Sequence, residues 1–461
     1  MIELKEKTLQ SFLYKAKETA KMRKEKVLVS WTKKKASNDL LHIFKSAESL
    51  GKDRIFWRNH TGSFTLIGIG VVQQIIAEED RFQQLQEKWD KTLQRAIIHN
   101  PFQHVGTGLI AMGGMSFDPK RPTSQLWKKY PTSQLTIPEY IFIRHKEQFY
   151  MTLNSYVHED DDIDTLLEKF KEDEITLLST ENDSTTVQKV MAKKEIEPEA
   201  WKQTVSDAVE EIKRGNAKKI VLAREMRIQL EGKADISLLL SKLQETQPNS
   251  YIFAFEHGDN CFLGATPERL VQVEGDHLLS TCLAGTARRG TTVEEDEKIA
   301  NDLLNDEKNR EEHDYVVQMI RSSIEPFCHD VNIPDEPIVY PLRNLQHLYT
   351  PVRAKLKRPF TVFDIIEQLH PTPALGGVPR EKALAFMREH ELLDRGWYGA
   401  PIGWLDSNDN SEFAVAIRSG LVQHDEISLF AGCGVMRDSD PDMEYEETNV
   451  KFLPMLTILE D

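Results

Sequence analysis

The chain has 461 residues, 40% hydrophobic and 29% charged, a composition of a soluble globular protein too long for one ordinary hydrophobic core. Its 58 Lys and Arg against 74 Asp and Glu give 58 − 74 = −16, a field that repels phosphate backbones and argues against a nucleic-acid partner, though a locally cationic cleft for a small anion stays open. No stretch has the apolar length of a membrane span, and Cys261, Cys282, Cys328 and Cys433, without CxxC spacing, read as reduced thiols of a cytoplasmic protein.

The opening "MIELKEKTLQSFLYKAKETAKMRKEK" sets lysines among Leu4, Leu9, Phe12 and Leu13. That spacing predicts a surface helix. It lacks the continuous apolar core of a secretory signal, and its glutamates set it apart from a transit peptide. "RIFWRNHTGSFTLIGIG" reads as an aromatic strand, a polar turn and a second strand, and "YIFAFEHGDNCFLGATP" echoes it loosely, a hint of internal duplication. "GIGVVQ" is no dinucleotide fingerprint, because Gln73 stands where the third glycine belongs and no βαβ unit surrounds it. "AMGGMSFD" lacks a basic residue to hold a phosphate and reads as a bend in a sheet.

Residues 158–198 are charged and poor in large apolar side chains, which predicts a helix followed by an exposed connector. This divides the chain into an N-terminal α+β subdomain, 1–195, and a C-terminal ligand-binding domain, 196–461. "PEAWKQTVSDAVEEIKRG" then predicts a helix, with Pro198 at its start, Trp201, Val205, Val209 and Ile212 on one face, and Gly215 as its stop. In the following strand, "AKKIVLAREMRI", the period of two puts Lys219 on the face of Val221 and Ala223, with Lys218 opposite. A lysine there marks either the strand's wet end or a chemical task.

Further strands, "YIFAFE", "CFLGATPERLVQVE", "HLLSTCLAG", "APIGWLD", "SEFAVAIRSGLV" and "ISLFAGCGVM", are split by short polar turns, which implies antiparallel pairing. Helical blocks at roughly 293–325 and 361–394 interrupt them. The predicted class is α+β: a large antiparallel sheet system flanked by helices.

Several polar groups stand out of pattern. Glu268 follows Pro267 at the end of a strand and, taken alone, reads first as a surface turn carboxylate. Glu312 shares an apolar helix stripe with Val316 and Met319, whereas Glu311 faces away. Glu444, Glu447 and Lys451 share one helix face at i, i+3 and i+7: a solvated ion pair, or an oxygen-ligand site for a hard cation. Gly285, Thr286, Gly432 and Gly434 put small residues at strand ends where backbone N–H groups can approach an anion. Arg418 interrupts an apolar strand and needs a carboxylate partner. Together these residues predict a concave, polar-lined site for a carboxylated molecule.

"KIVLAR", "GATPERL", "LAGTARRG", "DEKNREEHDYV", "HPTPALGGVPREKA", "GWYGAPIGWLD", "FAVAIRSGL" and "FAGCGVMRDSDPDMEYEETNVK" occur in an order that resembles the chorismate-utilising enzymes. Within that family the chain is most similar to the isochorismate synthases, and the N-terminal half gives it the length of the menaquinone-pathway kind rather than the shorter siderophore-pathway kind. The resemblance implies an α+β sandwich and an Mg²⁺-dependent isomerisation in which water adds at ring carbon 2 of chorismate and the carbon 4 hydroxyl leaves. It implies that Lys219 is the base and Glu268 the acid, that Glu312 and Glu447 hold Mg²⁺ with Glu444 on a metal-bound water, and that Gly285, Thr286, His370, Ala374, Arg418, Gly432 and Lys451 bind substrate. Both catalytic roles require burial, which lowers a lysine pKa and raises a glutamate pKa.

Amine-transferring relatives carry glutamine at the Lys219 position, and anthranilate-type members a threonine at the Ala374 position, so lysine with alanine implies water as nucleophile. The alternatives are a salicylate synthase, which shares the lysine, adds a pyruvate-lyase step and usually has that threonine, and a non-catalytic chorismate-binding homologue. The expected partner is chorismate alone, acting on a monomer or homodimer.

Overall fold

The computed structural model describes residues 8–36, 38–179, 189–343 and 345–460. Leu4 and positions 180–188 of the expected connector lie outside them. The N-terminal half runs α1 (Leu9–Arg23), β1 (Val27–Lys35), α2 (Leu40–Ser46), β2 (Arg54–Arg58), β3 (Phe64–Ile69), β4 (Gln73–Ile76), α3 (Arg81–Arg95), β5 (Ile97–His99), β6 (Ile110–Met115), β7 (Ser133–Ile137), β8 (Tyr140–His145), β9 (Gln148–Val157) and α4 (Ile163–Leu178). After β10 (Val190–Glu195) come α5 (Pro198–Lys213), β11 (Ile220–Leu230), α6 (Ile236–Thr246), β12 (Tyr251–His257), β13 (Asn260–Thr266), β14 (Arg269–Glu274) and β15 (His277–Arg288). The chain continues through α7 (Val293–Asn305), α8 (Glu307–Ile324), β16 (Cys328–Asn332), β17 (Ile338–Pro341), β18 (Leu345–Leu356), α9 (Val362–Leu369), α10 (Pro373–Gly376) and α11 (Arg380–His390). It closes with β19 (Pro401–Asp406), β20 (Ser411–Val415), β21 (Ser419–Gln423), β22 (Glu426–Val435) and α12 (Pro441–Glu460).

The architecture is α+β, as expected. Among the described residues one sheet has the order β10-β11-β22-β21-β13-β12-β2-β3-β8-β9-β1-β5, and a second β16-β18-β15-β14-β20-β19-β6-β7-β4 with β17 on β18. Pairing is antiparallel except between β1 and β5. The first sheet is buried on both faces, and the period of two sorts its side chains between two cores. Tyr251, Phe253 and Phe255 enter an aromatic core shared with β6 and β19 of the second sheet, while Ile252 and Ala254 enter a core closed by α1, α2, α4, α6 and α12.

The element order occurs twice. Outward from the β12–β2 pair, the first sheet reads β12-β13-β21-β22-β11 on one side and β2-β3-β8-β9-β1 on the other; the second reads β19-β20-β14 and β6-β7-β4 from the β19–β6 pair. Helices α1, α2 and α4 hold the chain positions of α5, α6 and α12. The two echoing segments meet at the junction, with Phe253 opposite Trp57 and Ala254 opposite Phe56. The C-terminal half carries β15–β18 and α7–α11 where the N-terminal half has only α3 and β5, and this insertion supplies one wall of the cavity described below.

Two expectations change. Both sheets draw strands from either side of residue 195, so a boundary there does not separate two cores. Val190–Glu195 is an edge strand on β11 rather than exposed connector; its lysines, which guard an open edge against further pairing, gave it the composition of a linker.

Strand β11 is fixed by a buried ion pair. Arg395 donates to both oxygens of Glu391 at 2.7 Å, to the Val221 carbonyl at 2.8 Å and to the Leu375 carbonyl at 3.0 Å, and the Ala223 N–H donates to Glu391 at 2.8 Å. One pair thus ties β11 to α10. Removing one member strands the other charge in the interior, so Glu391→Ala is expected to lower the unfolding free energy by about 3–5 kcal/mol in urea titration; a loss below about 1 kcal/mol would contradict this role.

Candidate active site

A cavity of about 720 Å³ opens where the ends of β11 and β22 meet β15, β18, α8, α10 and α12. It has the size of a small-metabolite site. Lys219, Glu268, Gly285, Thr286, Glu312, Ala374, Arg418, Gly432, Glu444, Glu447 and Lys451 all line it.

Lys219 sits just before β11, with Val221 and Ala223 on the same wall, as alternation predicts; Lys218 is exposed. The Lys219 backbone bridges to Val378, which holds α10 and Ala374 beside it. Its side chain crosses Gly434, where a Cβ would stand 2.5 Å from Lys219 Cε. Only a residue without a side chain leaves that seat free. The ammonium, 14% exposed, donates to Glu312 Oε1 at 2.6 Å.

Glu268 is buried at the end of β13, and burial pushes its carboxyl up to about 7 against the opposing pull of Arg418 and Lys219. A substantial neutral fraction near neutral pH suits a proton donor. Arg418, half-buried in a left-handed conformation at φ 52°, has no hydrogen-bond or ion-pair partner for its guanidinium among the described residues. A guanidinium so placed calls for an anionic ligand. Lys451 donates to the Gly432 carbonyl at 2.9 Å and to Glu447 Oε1 at 2.5 Å.

Glu444 accepts from the Ser439 hydroxyl at 2.6 Å through Oε1, and its buried Oε2 has no partner. No group of three His, Cys, Asp or Glu side chains among the described residues already converges as a metal cage. A hard cation that keeps several waters needs only one or two carboxylates. Glu312 and Glu447, each held by a lysine, together with the orphaned Glu444 oxygen, fit that smaller requirement.

His370 lies outside the cavity lining, contrary to expectation. Its Nε2 donates to the Phe117 carbonyl at 2.9 Å, its ring packs edge-on against Phe117, and burial pushes it down to about 3. It is a neutral core histidine that anchors the turn before α10. Cys433 beside the cavity is buried with its thiol pushed up by burial, in keeping with a packing role.

Sequence reasoning missed His347, Tyr398 and Asn309. His347 shares a hydrogen bond of 2.9 Å with the Thr286 hydroxyl, and burial pushes it down to about 3. The Thr286 N–H donates to Asn309 at 3.3 Å. Burial pushes the Tyr398 hydroxyl up to about 12. The available signal for His347 was its place in "LQHLYT", a polar residue in an apolar strand, which is the signal that singled out Arg418.

The chain resembles known proteins along most of its length. The isochorismate synthase MenF of Bacillus subtilis is 38% identical over 97% of this chain and 96% of its own length. The salicylate biosynthesis isochorismate synthase of Pseudomonas aeruginosa is 33% identical over 90% of this chain and 87% of its own. The structure of MenF, the menaquinone-specific isochorismate synthase from Escherichia coli, superposes with a TM-score of 0.80 at 23% identity, covering 97% of this chain and 99% of that one, and shares the fold. Residues 13–460 match the chorismate binding enzyme family, and the chain belongs to that family.

Proposed function

We propose that the chain is an isochorismate synthase of the menaquinone pathway, acting in the cytoplasm with Mg²⁺. The observation that carries the reading is a lysine and a raised-pKa glutamate, Lys219 and Glu268, lining one cavity with an unpartnered arginine. Among the described residues no helix is long and apolar enough to cross a membrane.

In this reading Arg418 and Lys451 hold the substrate carboxylates, and Thr286, oriented by Asn309 and His347, presents its hydroxyl and backbone. Lys219 takes a proton from the water that bonds to ring carbon 2. The ring double bonds shift, the carbon 4–oxygen bond breaks, and Glu268 protonates the departing hydroxyl, which leaves as water. The proton gained by Lys219 and the one given up by Glu268 balance. To act as base, Lys219 must release Glu312. Glu312 and Glu447, with Glu444 nearby, would hold Mg²⁺, which would supply a positive centre for the ring carboxylate.

Incubation with chorismate and Mg²⁺ followed by chromatography is expected to give isochorismate alone. Salicylate with pyruvate, or no turnover, would contradict the reading. Lys219→Ala is expected to lower kcat on the order of 10²–10⁴-fold with the fold intact by circular dichroism; near-parental activity would remove Lys219 as base.

Two further outcomes follow from the site's charges. Glu447→Gln is expected to raise the Mg²⁺ concentration for half-maximal activity by about tenfold or more; a titration that superimposes on the parent's would exclude Glu447 as ligand. Glu268 has its folded pKa raised to about 7 from an ordinary 4.5, so between those values the folded protein holds a proton that the unfolded chain has lost. Its contribution to stability therefore falls as pH rises through that window. Urea titrations at about pH 5 and about pH 8 should show the parent losing roughly 1–3 kcal/mol more than Glu268→Gln. Equal losses would show that Glu268 is not held neutral.

A further inference from the structure

The duplicated fold contains a second cleft at the position of the first. The register equates Leu28 opposite Tyr156 with Val221 opposite Gly434, since the preceding pairs are Val27 with Val157 and Ile220 with Val435. Lys26, just before β1, is therefore the counterpart of Lys219, just before β11. Its ammonium lies 4.0 Å from the centroid of the Tyr156 ring, much as Lys219 crosses Gly434. Both lysines line a cavity, and the N-terminal one measures about 730 Å³ against about 720 Å³ for the other.

The chemistry of the two cavities differs. The residues between β3 and β4, Gly70, Val71 and Val72, offer no carboxylate where Glu268 stands between β13 and β14. The insertion that carries Glu312 on α8 has no counterpart in this half. Instead α3 brings Lys88, Lys91 and Arg95 to the cleft beside Lys26, with Glu25 as the opposing charge, 3.7 Å from Arg95. Lys91 has no ion pair or hydrogen bond among the described residues. The floor is preorganised: the Tyr156 hydroxyl donates to Gln73 at 2.7 Å, Gln73 donates to the Thr92 hydroxyl at 3.1 Å, and Leu28 and Ile75 lie buried beneath. In a chain of net charge −16, four cations against one carboxylate around a cavity are a local reversal of sign.

We propose that this N-terminal cleft is a non-catalytic binding site for a small carboxylate-bearing metabolite with more than one negative charge and an apolar ring or edge. The cations meet the carboxylates, and Tyr156, Leu28 and Ile75 meet the apolar part. With no acid or base pair, the site binds its ligand without converting it.

The test uses the full-length protein and benzene-1,3,5-tricarboxylate as probe, titrated calorimetrically at constant ionic strength with and without saturating chorismate. Probe binding is expected to weaken about tenfold or more in Lys26→Glu/Lys91→Glu, while chorismate turnover stays within about twofold of the parent. The proposal is overturned if the variant's titration superimposes on the parent's both with and without chorismate. Should the double variant lose turnover through misfolding, Lys91→Gln on the exposed side of α3 decides by the same criterion, with weakening of about threefold expected and none contradicting. Because the readout is probe binding rather than turnover, failure here leaves the proposed reaction untouched.

Discussion

The ion pair between Lys219 and Glu312 joins the two bodies of chain that make the cavity. Lys219 belongs to a strand of the duplicated framework and Glu312 to a helix of the insertion, 93 residues apart in sequence and 2.6 Å apart in space. Much around the pair serves its placement: the buried Arg395–Glu391 pair fixes β11, the bridge to Val378 fixes the lysine backbone, and Gly434 clears the path of its side chain. The contact keeps two opposite charges close in a partly enclosed space, at little desolvation cost because Glu312 remains 43% exposed. It also keeps the ammonium from the ligand space until Glu312 takes another partner, so the pair and the two roles proposed for its members exclude one another.

The rest of the cavity is arranged by contrast of environment. Glu268 is buried and held near neutrality, while Glu312 and Glu447 face lysines and open space. Carboxylates of one residue type thereby stand in contrasting environments, one buried away from water and two beside cations. Arg418 is the reverse case, a cavity-lining cation without a partner among the described residues, a placement that calls for an anionic ligand. A buried carboxyl and a largely covered lysine on one cavity are groups that simple retention of an anion would not need.

Much of this was legible in the sequence wherever local periodicity decides placement. Alternation put Lys219 beside Val221 and Ala223, helical spacing put Glu444, Glu447 and Lys451 on one face, and both sets line the cavity. Glu268 was ambiguous because a carboxylate after Pro267 is surface or site according to what surrounds it, and the cavity it lines is walled in part by β15 and β18. His370 stands outside the cavity lining for the converse reason: a histidine in a turn motif can serve the backbone, and here it bonds the Phe117 carbonyl within the core. His347 reaches Thr286 only through the pairing of β15 with β18, a contact that no local pattern encodes. The duplication was faint in the residues and plain in the strand order, because topology persists where side chains have been exchanged, as Tyr156 for Gly434.

The account rests on water, rather than the substrate's own hydroxyl, becoming the new ring oxygen. Turnover of unlabelled chorismate in ¹⁸O-water with mass-spectrometric localisation of the label tests this directly. The account predicts one ¹⁸O in isochorismate, on the carbon 2 hydroxyl, with the carbon 4 oxygen released to solvent. Isochorismate that retains only the original oxygen would mean an internal transfer, and would contradict the roles assigned to Lys219 and Glu268 together.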